Sequence, residues 1–262
     1  GNFGLQWRCF TINAANGILA DVKVRQALMR ATNREAIAKS DLAGLPVDVS
    51  KVLLGNRFFM PSQTGYQDNS GPWSYDPEAA KKLLDEAGWT VGANGTREKA
   101  GQPLKINFTI PQSTPTTENE QGLLQSQLAE VGITLTLDGV DSDKFQTEYV
   151  RRSNFEITGF TWVGTQYPMG NLGQVYSSTG GSNYSKISVP EIDSLVTQAN
   201  TAQTNEERLK LTTQIDVLVW ENVFNIPIYN RVQLTAVPKK LANFGAVGLG
   251  SFRPEDVGYL SE

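Results

Sequence analysis

Tyr75-Asp76-Pro77-Glu78-Ala79-Ala80-Lys81-Lys82-Leu83-Leu84-Asp85-Glu86-Ala87-Gly88-Trp89 is a whole helix written in one line. Asp76 is placed to accept from the first free amides, and Pro77 stands at the first helical position, where a missing N–H costs nothing. Ala80, Leu83, Leu84 and Ala87 recur at helical spacing, and Gly88 can take the left-handed conformation that ends the helix. An apolar stripe of this kind is buried by laying it on another layer, and the sequence on either side supplies strands for one.

Leu5 to Asn13 reads as a strand, followed by two short helices over about 21–32 and 34–43. Asp21 reads as the cap of the first, with Val24, Ala27, Leu28 and Ala31 as its apolar stripe. Residues 44–74 hold Pro46, Gly55, Pro61, Gly65, Gly71 and Pro72, a loop-rich excursion long enough to lie over something. After the helix at 76–87 comes a polar Gly-rich turn at 92–102. Leu104, Ile106, Phe108 and Ile110 alternate as in a strand. Residues 117–131 read as a helix with Leu124, Leu128 and Val131 on one face, closed by Gly132. Ile133, Leu135 and Leu137 begin another strand, Asp141 to Arg151 a helix, and Phe155 to Val163 a β-prone strand. Ser188 with Glu191, and Thr204 with Glu207, each fit a capping box. Ile192, Leu195, Val196 and Ala199 form the apolar face of the first helix so capped; Leu211, Ile215, Leu218 and Val219 form that of the second. Residues 225–237 return to strand character, and the tail from 238 is Gly-rich. Strand and helix alternate, which implies an α/β fold with strands buried under helices.

Most chemistries are excluded by what the chain lacks. It has no histidine, which removes the commonest general base and every Ser-His or Cys-His arrangement. One cysteine, Cys9, allows no intrachain disulfide and no zinc pair, and reads as a small core residue. No phosphate-binding glycine motif is present. Asp138, Asp141 and Asp143 lack the spacing of a calcium loop and read as a turn with a helix cap. The 27 acidic residues supply many carboxylate pairs on paper, and these read as surface charge. Net charge is −4, so no basic footprint points to nucleic acid, and Arg151-Arg152 and Lys239-Lys240 read as solvated surface. No apolar run approaches the roughly 20 residues of a membrane span. A carboxylate-pair hydrolase and Lys-based or Ser-Lys catalysis stay open on paper, but no local signature supports them; no enzymatic activity and no cofactor are expected.

Trp162-Val163-Gly164-Thr165-Gln166-Tyr167-Pro168-Met169-Gly170-Asn171-Leu172 is the segment best suited to touch a ligand. It leaves a strand and breaks into a Gly/Pro loop, where α/β scaffolds commonly carry their binding groups. Trp162 and Tyr167 offer flat apolar faces with polar edges, suited to sugars, rings or peptide planes. The other reading of Trp162 is a core aromatic at a strand end.

The Tyr75–Trp89 segment also resembles the "YDPEKAKKLLAEAGW" stretch of the solute-binding proteins of peptide, oligosaccharide and nickel ABC transporters. Asp21 to Ile37 is similar to that family's "D-x-R-V-R-Q-A-I-x-x-A-I-D-R-E-x-I". Asn183-Tyr184-Ser185 with Pro190-Glu191-Ile192-Asp193-Ser194-Leu195 resembles "N-x-S-x-Y-x-N-P-E-V-D-x-L", and Asn225-Ile226-Pro227-Ile228-Tyr229 resembles "P-x-I-P-L-Y". The four segments keep the family's order and span nearly the whole chain.

The resemblance implies one mixed-sheet lobe of a two-lobed, periplasmic-binding-protein-like fold. Residues 1–224 would be the ligand-binding lobe and 225–262 a return segment towards an N-terminal lobe of the same protein. Family members begin with a signal or lipoprotein segment and that first lobe, so the chain is expected to start where the second lobe starts. The implied function is extracytoplasmic capture of a small molecule for ABC permease subunits, by hinge closure over the ligand. This lobe alone is expected to fold but to bind poorly. Among actinobacterial lipoproteins of the family, a branch tied to phosphatidylinositol mannoside and lipoarabinomannan synthesis also resembles this chain, and implies instead a binding regulator of glycolipid synthesis.

Candidate ligand contacts implied by the resemblance are Trp162, Thr165, Gln166, Tyr167, Asn183 and Tyr184. The family's loop "W-x-x-D-Y-x-D-P-x-x-F" carries an aspartate that commonly holds the α-amino group of bound peptides. Thr165 or Gln166 stands in its place here, and Met169-Gly170 replaces "D-P". A neutral side chain supplies no charge-assisted bond to an ammonium group. The ligand, whether peptide-like, a sugar or a glycolipid head group, is therefore expected not to be anchored through a free α-amino group.

Overall fold

The strand at the start of the chain, β1 (Asn2–Ile12), is longer than its apolar core suggests and starts three residues before Leu5. The computed structural model describes residues 2–15, 17–247, 250–251 and 253–260. Gly1 and part of the Gly-rich tail lie outside the described residues.

Helix starts follow the caps. Asp21 accepts from the Lys23 amide at the head of α1 (Val22–Ala31), Asn33 from Ala36 at α2 (Arg34–Asp41), and Asp76 from Ala79 at α3 (Pro77–Glu86). Gly88, at φ +84°, lets the Trp89 amide reach back to the Leu84 carbonyl at 2.9 Å, which closes α3. The Gly-rich stretch expected to be a turn is a small meander, β2 (Thr90–Val91), β3 (Arg97–Lys99) and β4 (Gln102–Pro103). The next unit is β5 (Lys105–Pro111), α4 (Pro115–Glu130) and β6 (Thr134–Val140).

The helix expected over 141–151 is one α turn, α5 (Ser142–Lys144), which runs into a π-helical turn over Phe145–Val150. Phe145 and Val150, five residues apart, are both buried, and only the wider turn puts that spacing on one face. Asp141 caps α5 through the Asp143 amide, and among the described residues no cluster of His, Cys, Asp or Glu could hold a metal.

The chain continues through β7 (Ile157–Val163), a short α6 (Gly173–Tyr176), α7 (Pro190–Thr201), α8 (Asn205–Asn222) and β8 (Asn225–Gln233). Thr204 caps α8 through the Glu207 amide, as its capping box predicts. The box at Ser188 does not form. Pro190 takes the first helical position, which leaves Val189 as a cap with no acceptor side chain. Beyond Gln233 the described elements are β9 (Leu241–Ala242), paired with β10 (Gly258–Tyr259), and a turn at Pro254–Asp256.

The main sheet has the order β6-β5-β7-β1-β8. β5 is parallel to β6 and β7, whereas β1 runs antiparallel to both β7 and β8. The fold is therefore a mixed-sheet α/β layer, as the alternation of elements implies. Because β8 belongs to this sheet, the boundary expected between 224 and 225 does not coincide with the sheet's end. Pro227, which has no N–H to donate, sits on this edge strand where the register with β1 shifts. The 44–74 excursion covers that edge: Leu54 donates to the Ile228 carbonyl (3.2 Å) and Asn230 to the Val52 carbonyl (2.8 Å).

Alternation along β1 sorts its side chains to two faces. Phe10 and Ile12 join Ile106 and Phe108 under α1–α4, packed on Val24, Leu28, Ile37, Leu84 and Leu124. Trp7 and Cys9 face the other way, with Leu54 and Met60. Cys9 is fully buried, and burial pushes its thiol up to about 12. A second apolar cluster joins α7 and α8 through Ile192, Ala199, Ile215 and Val219 around Phe224.

Arg8 leaves β1 on the α1–α4 face and forms a two-pronged pair with Glu120 of α4, Nε to Oε1 at 2.6 Å and Nη2 to Oε2. Glu120 is fully buried. A buried pair gains little over apolar residues of the same volume, but a widowed charge is costly. Glu120→Ala is expected to lose about 3–5 kcal/mol in urea unfolding, and the double change Arg8→Met, Glu120→Leu much less. Equal losses in the two would show that the pair itself stabilises the lobe.

A neutral aromatic cleft at the end of β7

β7 delivers Trp162 beside Trp7 of β1, its register partner. The chain then turns away, the Gly164 amide donating to the Leu5 carbonyl at 2.7 Å. Between this turn and α6 lies a cleft of about 160 Å³. Trp7 and Trp162 line one side, Phe58 and Tyr176 the other, and Thr165, Asn171 and Gln174 supply polar groups. Among the described residues no Asp or Glu lines it, and the one charged residue that does is Arg57.

The structure brings some of the expected site residues together and separates others. Trp162 and Thr165 line the cleft. Tyr184 lies flat against Trp162, ring centroids 5.6 Å apart at 6°, and Phe160 meets the Trp162 edge at 5.1 Å. One face of Trp162 is thus already stacked, so Trp162 both packs a core cluster and borders the cleft. Thr165 is exposed; its Oγ1 accepts from the Tyr167 amide, and its carbonyl accepts from Gln63 Nε2 at 3.0 Å, which ties the loop to the 44–74 excursion. Gln166 is exposed, and Tyr167 is 79% exposed and not part of the cleft lining. Asn183 is buried with its amide spent on the Ser177 (3.0 Å) and Ile187 (2.8 Å) carbonyls, so it holds its own loop and not a cleft wall.

The cleft wall rests on a residue that the patterning did not single out. Arg57, its side chain fully buried, donates Nε to Asn225 Oδ1 and Nη2 to the Asn225 carbonyl, both at 2.8 Å. Its backbone amide donates to Asp216 Oδ1 (3.0 Å), and Asn69 Nδ2 donates to Asp216 Oδ2 (2.7 Å). Arg57 also lies 4.0 Å over the Trp220 ring. Asn225 in turn donates to the Tyr176 hydroxyl (3.2 Å), and Tyr176 meets Phe58 edge-on at 5.4 Å. Burial pushes the Asp216 carboxyl up and the Arg57 guanidinium down, and each is the main influence opposing that shift in the other. A usable signal was present in the sequence. Asp216 falls on the buried face of α8 among Thr212, Ile215 and Val219, and a charge on an apolar face asks for a partner.

Residues 4–184 match the middle part of the bacterial extracellular solute-binding proteins, family 5, and the chain belongs to that family. It is 36% identical over 258 residues to the oligopeptide-binding protein OppA of Mycobacterium tuberculosis, covering 98% of this chain and 43% of that protein. It is 26% identical over 261 residues to the dipeptide-binding protein of Escherichia coli, covering 97% of this chain and 46% of that one. The fold is similar to that of the oligopeptide-binding protein AppA from Bacillus subtilis in complex with a nonapeptide. The TM-score is 0.78 at 22% identity, over 93% of this chain and 48% of that one. NikZ from Campylobacter jejuni, in complex with Ni(L-His), gives a TM-score of 0.75 at 23% identity, over 87% and 45%. The chain spans less than half the length of the curated relatives it matches.

Side-chain placement divides the candidates by what their loss should do. Asn183→Ala leaves two enclosed carbonyls without their donor and is expected to cost about 1–3 kcal/mol in denaturant unfolding. Tyr167→Ala, at an exposed position, is expected to stay within about 0.5 kcal/mol. The reverse order would show that the Tyr167 side chain, not the Asn183 amide, is the one the fold depends on.

Proposed function

We propose that this chain is a ligand-holding lobe of an extracytoplasmic solute receptor that serves an ABC importer and performs no chemistry. Family membership supports the class, and the cleft at the end of β7 is the observation that carries the reading. A small cleft with aromatic walls and few polar groups suits binding, and a second lobe closing over it would bury what it holds. The absence of histidine from the sequence fits a carrier rather than an enzyme. Residues beyond Gln233 would return towards the first lobe, and permease subunits would be the partners. The relatives named for oligopeptide and dipeptide binding favour a peptide-class ligand; no observation favours a glycolipid one.

Within that class the anchor differs. The cleft lining has no carboxylate, and Thr165 and Gln166 are neutral where the family's aspartate is expected. An ammonium buried among amides, hydroxyls and a nearby guanidinium stays uncompensated, at a cost of several kcal/mol. The ligand presents a neutral planar group to Trp7 and Trp162 instead.

Calorimetry on the protein with both lobes tests this. N-acetylated short peptides should bind within about threefold of their free-amine forms, and Trp162→Ala should weaken both by about tenfold. Loss of binding on acetylation would overturn the anchoring proposal. Binding of no peptide in either form, with turnover of some substrate, would overturn the receptor reading itself.

A further inference from the structure

Two hydrogen-bond donors on the lining of the aromatic cleft are enclosed and unused. The Arg57 side chain is fully buried, and its Nη1 makes no hydrogen bond among the described residues. Asp216 Oδ1 stands 3.9 Å from it, beyond hydrogen-bond reach. Trp162 Nε1 is likewise shut off from solvent and without a partner among the described residues. Both side chains line the cleft. Tyr176, on the same lining, adds a third donor. Arg57 Nε takes Asn225 Oδ1, which leaves Asn225 Nδ2 to donate to the Tyr176 hydroxyl. That hydroxyl is therefore used as an acceptor and keeps its own proton.

The lining offers these donors little in return. Thr165 Oγ1 already takes the Tyr167 amide, and Gln174 Oε1 takes Asn171 Nδ2. The Trp220 ring under Arg57 is a weak acceptor at best. Buried donors without acceptors are costly, and native proteins keep few of them. Several on one small cleft mark a place where something else supplies the oxygen.

We propose that the cleft recognises its ligand by a neutral carbonyl oxygen of the amide kind, which accepts from Arg57 Nη1 and Trp162 Nε1 through its two lone pairs. The proposal rests on the reading of this cleft as the receptor's binding site, and it names the atom that the site selects. Both nitrogens lie behind the surface of the cleft. The oxygen reaches them by displacing Asn171 and Gln174, exposed side chains that bond to each other.

Charge decides between a carbonyl and a carboxylate. Asp216 accepts from the Arg57 amide on one oxygen and from Asn69 on the other, the arrangement of an ionised carboxylate, and so already answers the guanidinium. Arg34, the other cation over Trp220, has Asp68 as its opposing charge. A ligand carboxylate would enter an enclosed site with no free counter-charge, a cost that an amide avoids. A hydroxyl would bring one more proton to a lining rich in donors, and an ammonium would meet donors only.

The test titrates the protein with both lobes with N-methylacetamide, N-methylthioacetamide and sodium acetate at matched ionic strength. The readout is the proton–nitrogen NMR signals of the indole and guanidinium groups, with the Trp162 signal identified by its loss in Trp162→Phe. N-methylacetamide should move the Trp162 and Arg57 signals along one saturable curve. The thioamide has nearly the same shape but a weakly accepting sulfur, and should bind about tenfold more weakly. Acetate should also bind more weakly than the amide. Trp162→Phe keeps an aromatic ring and removes the donor; it should cost the amide about fivefold and the thioamide less than about twofold. The amide–thioamide comparison needs no variant, so it decides the matter even if Trp162→Phe does not fold. Unmoved donor signals would show that a trapped water or the Trp220 ring already serves them, and would overturn the proposal. Equal binding of amide and thioamide, or tighter binding of acetate, would overturn it too. Peptides that bind in calorimetry without moving the two signals would overturn this proposal alone. An amide that moves them in a protein that binds no peptide and turns over a substrate would support the carbonyl site and overturn the receptor reading.

Discussion

Arg57 is the group from which the cleft side of the lobe hangs. It is a cation with no solvent of its own, so it persists inside only because three separate elements compensate it. α8 gives Asp216 and the face of Trp220; the start of β8 gives both oxygens of Asn225; and Asn69, from the same excursion as Arg57, completes Asp216. None of these partners is a neighbour in sequence. A chain that placed any one element elsewhere would strand a buried charge, at a cost comparable with a large share of a domain's whole stability. The network therefore acts more on which fold is chosen than on how stable that fold is. Its reach to the cleft is short: Asn225 fixes the Tyr176 hydroxyl, and Tyr176 fixes Phe58.

Buried arginines recur as fasteners of loose ends. Arg34 donates to the Leu54 and Pro227 carbonyls, binding the excursion to the edge strand while lying 5.1 Å over the Trp220 ring. Arg25 gathers the carbonyls of Leu19, Ala20 and Asn222. Arg97 closes the ends of two helices at once, taking the Trp89 carbonyl beyond α3 and the Val131 carbonyl beyond α4. Helix ends leave carbonyls without partners, and a planar guanidinium with five donors can satisfy several together. Where no such donor or glycine is at hand the chain accepts strain: α8 ends on Val223, a β-branched residue at φ 50°.

The parts of this fold legible in the sequence are those set by local rules. Caps at Asp21, Asp76 and Thr204 are visible because the acceptor and its amides lie within one turn. The strand pattern Ile106, Phe108, Ile110 is visible because one face is buried. What failed, failed for non-local reasons. The 92–102 stretch became a meander because β3 lies against the ends of α3 and α4, where Arg97 is anchored, and no composition rule shows that. Of the candidate site residues read from the sequence, two border the cleft. Trp162 and Thr165 border the cleft because a strand end points its last residues at the rim. Asn183 is polar, and polarity alone does not reveal that its amide faces inward.

Placing Trp7 and Arg8 on adjacent positions of β1 has a consequence for recognition. A strand sends neighbours to opposite faces, so one strand carries an aromatic wall on one side and a guanidinium on the other. The Trp7 side is closed over by the excursion through Phe58 and contains no acid. On the Arg8 side the guanidinium is paired with Glu120. Because β7 pairs with β1 in register, Trp162 and Thr161 repeat the same division one strand away. The two faces of the sheet are thus chemically distinct. A one-residue slip of β1 against β7 would exchange their linings, placing Arg8 among the aromatics and Trp7 opposite Glu120. The Arg8–Glu120 pair resists that slip, so a group that fixes the register also keeps the aromatic face of the sheet apart from the charged one.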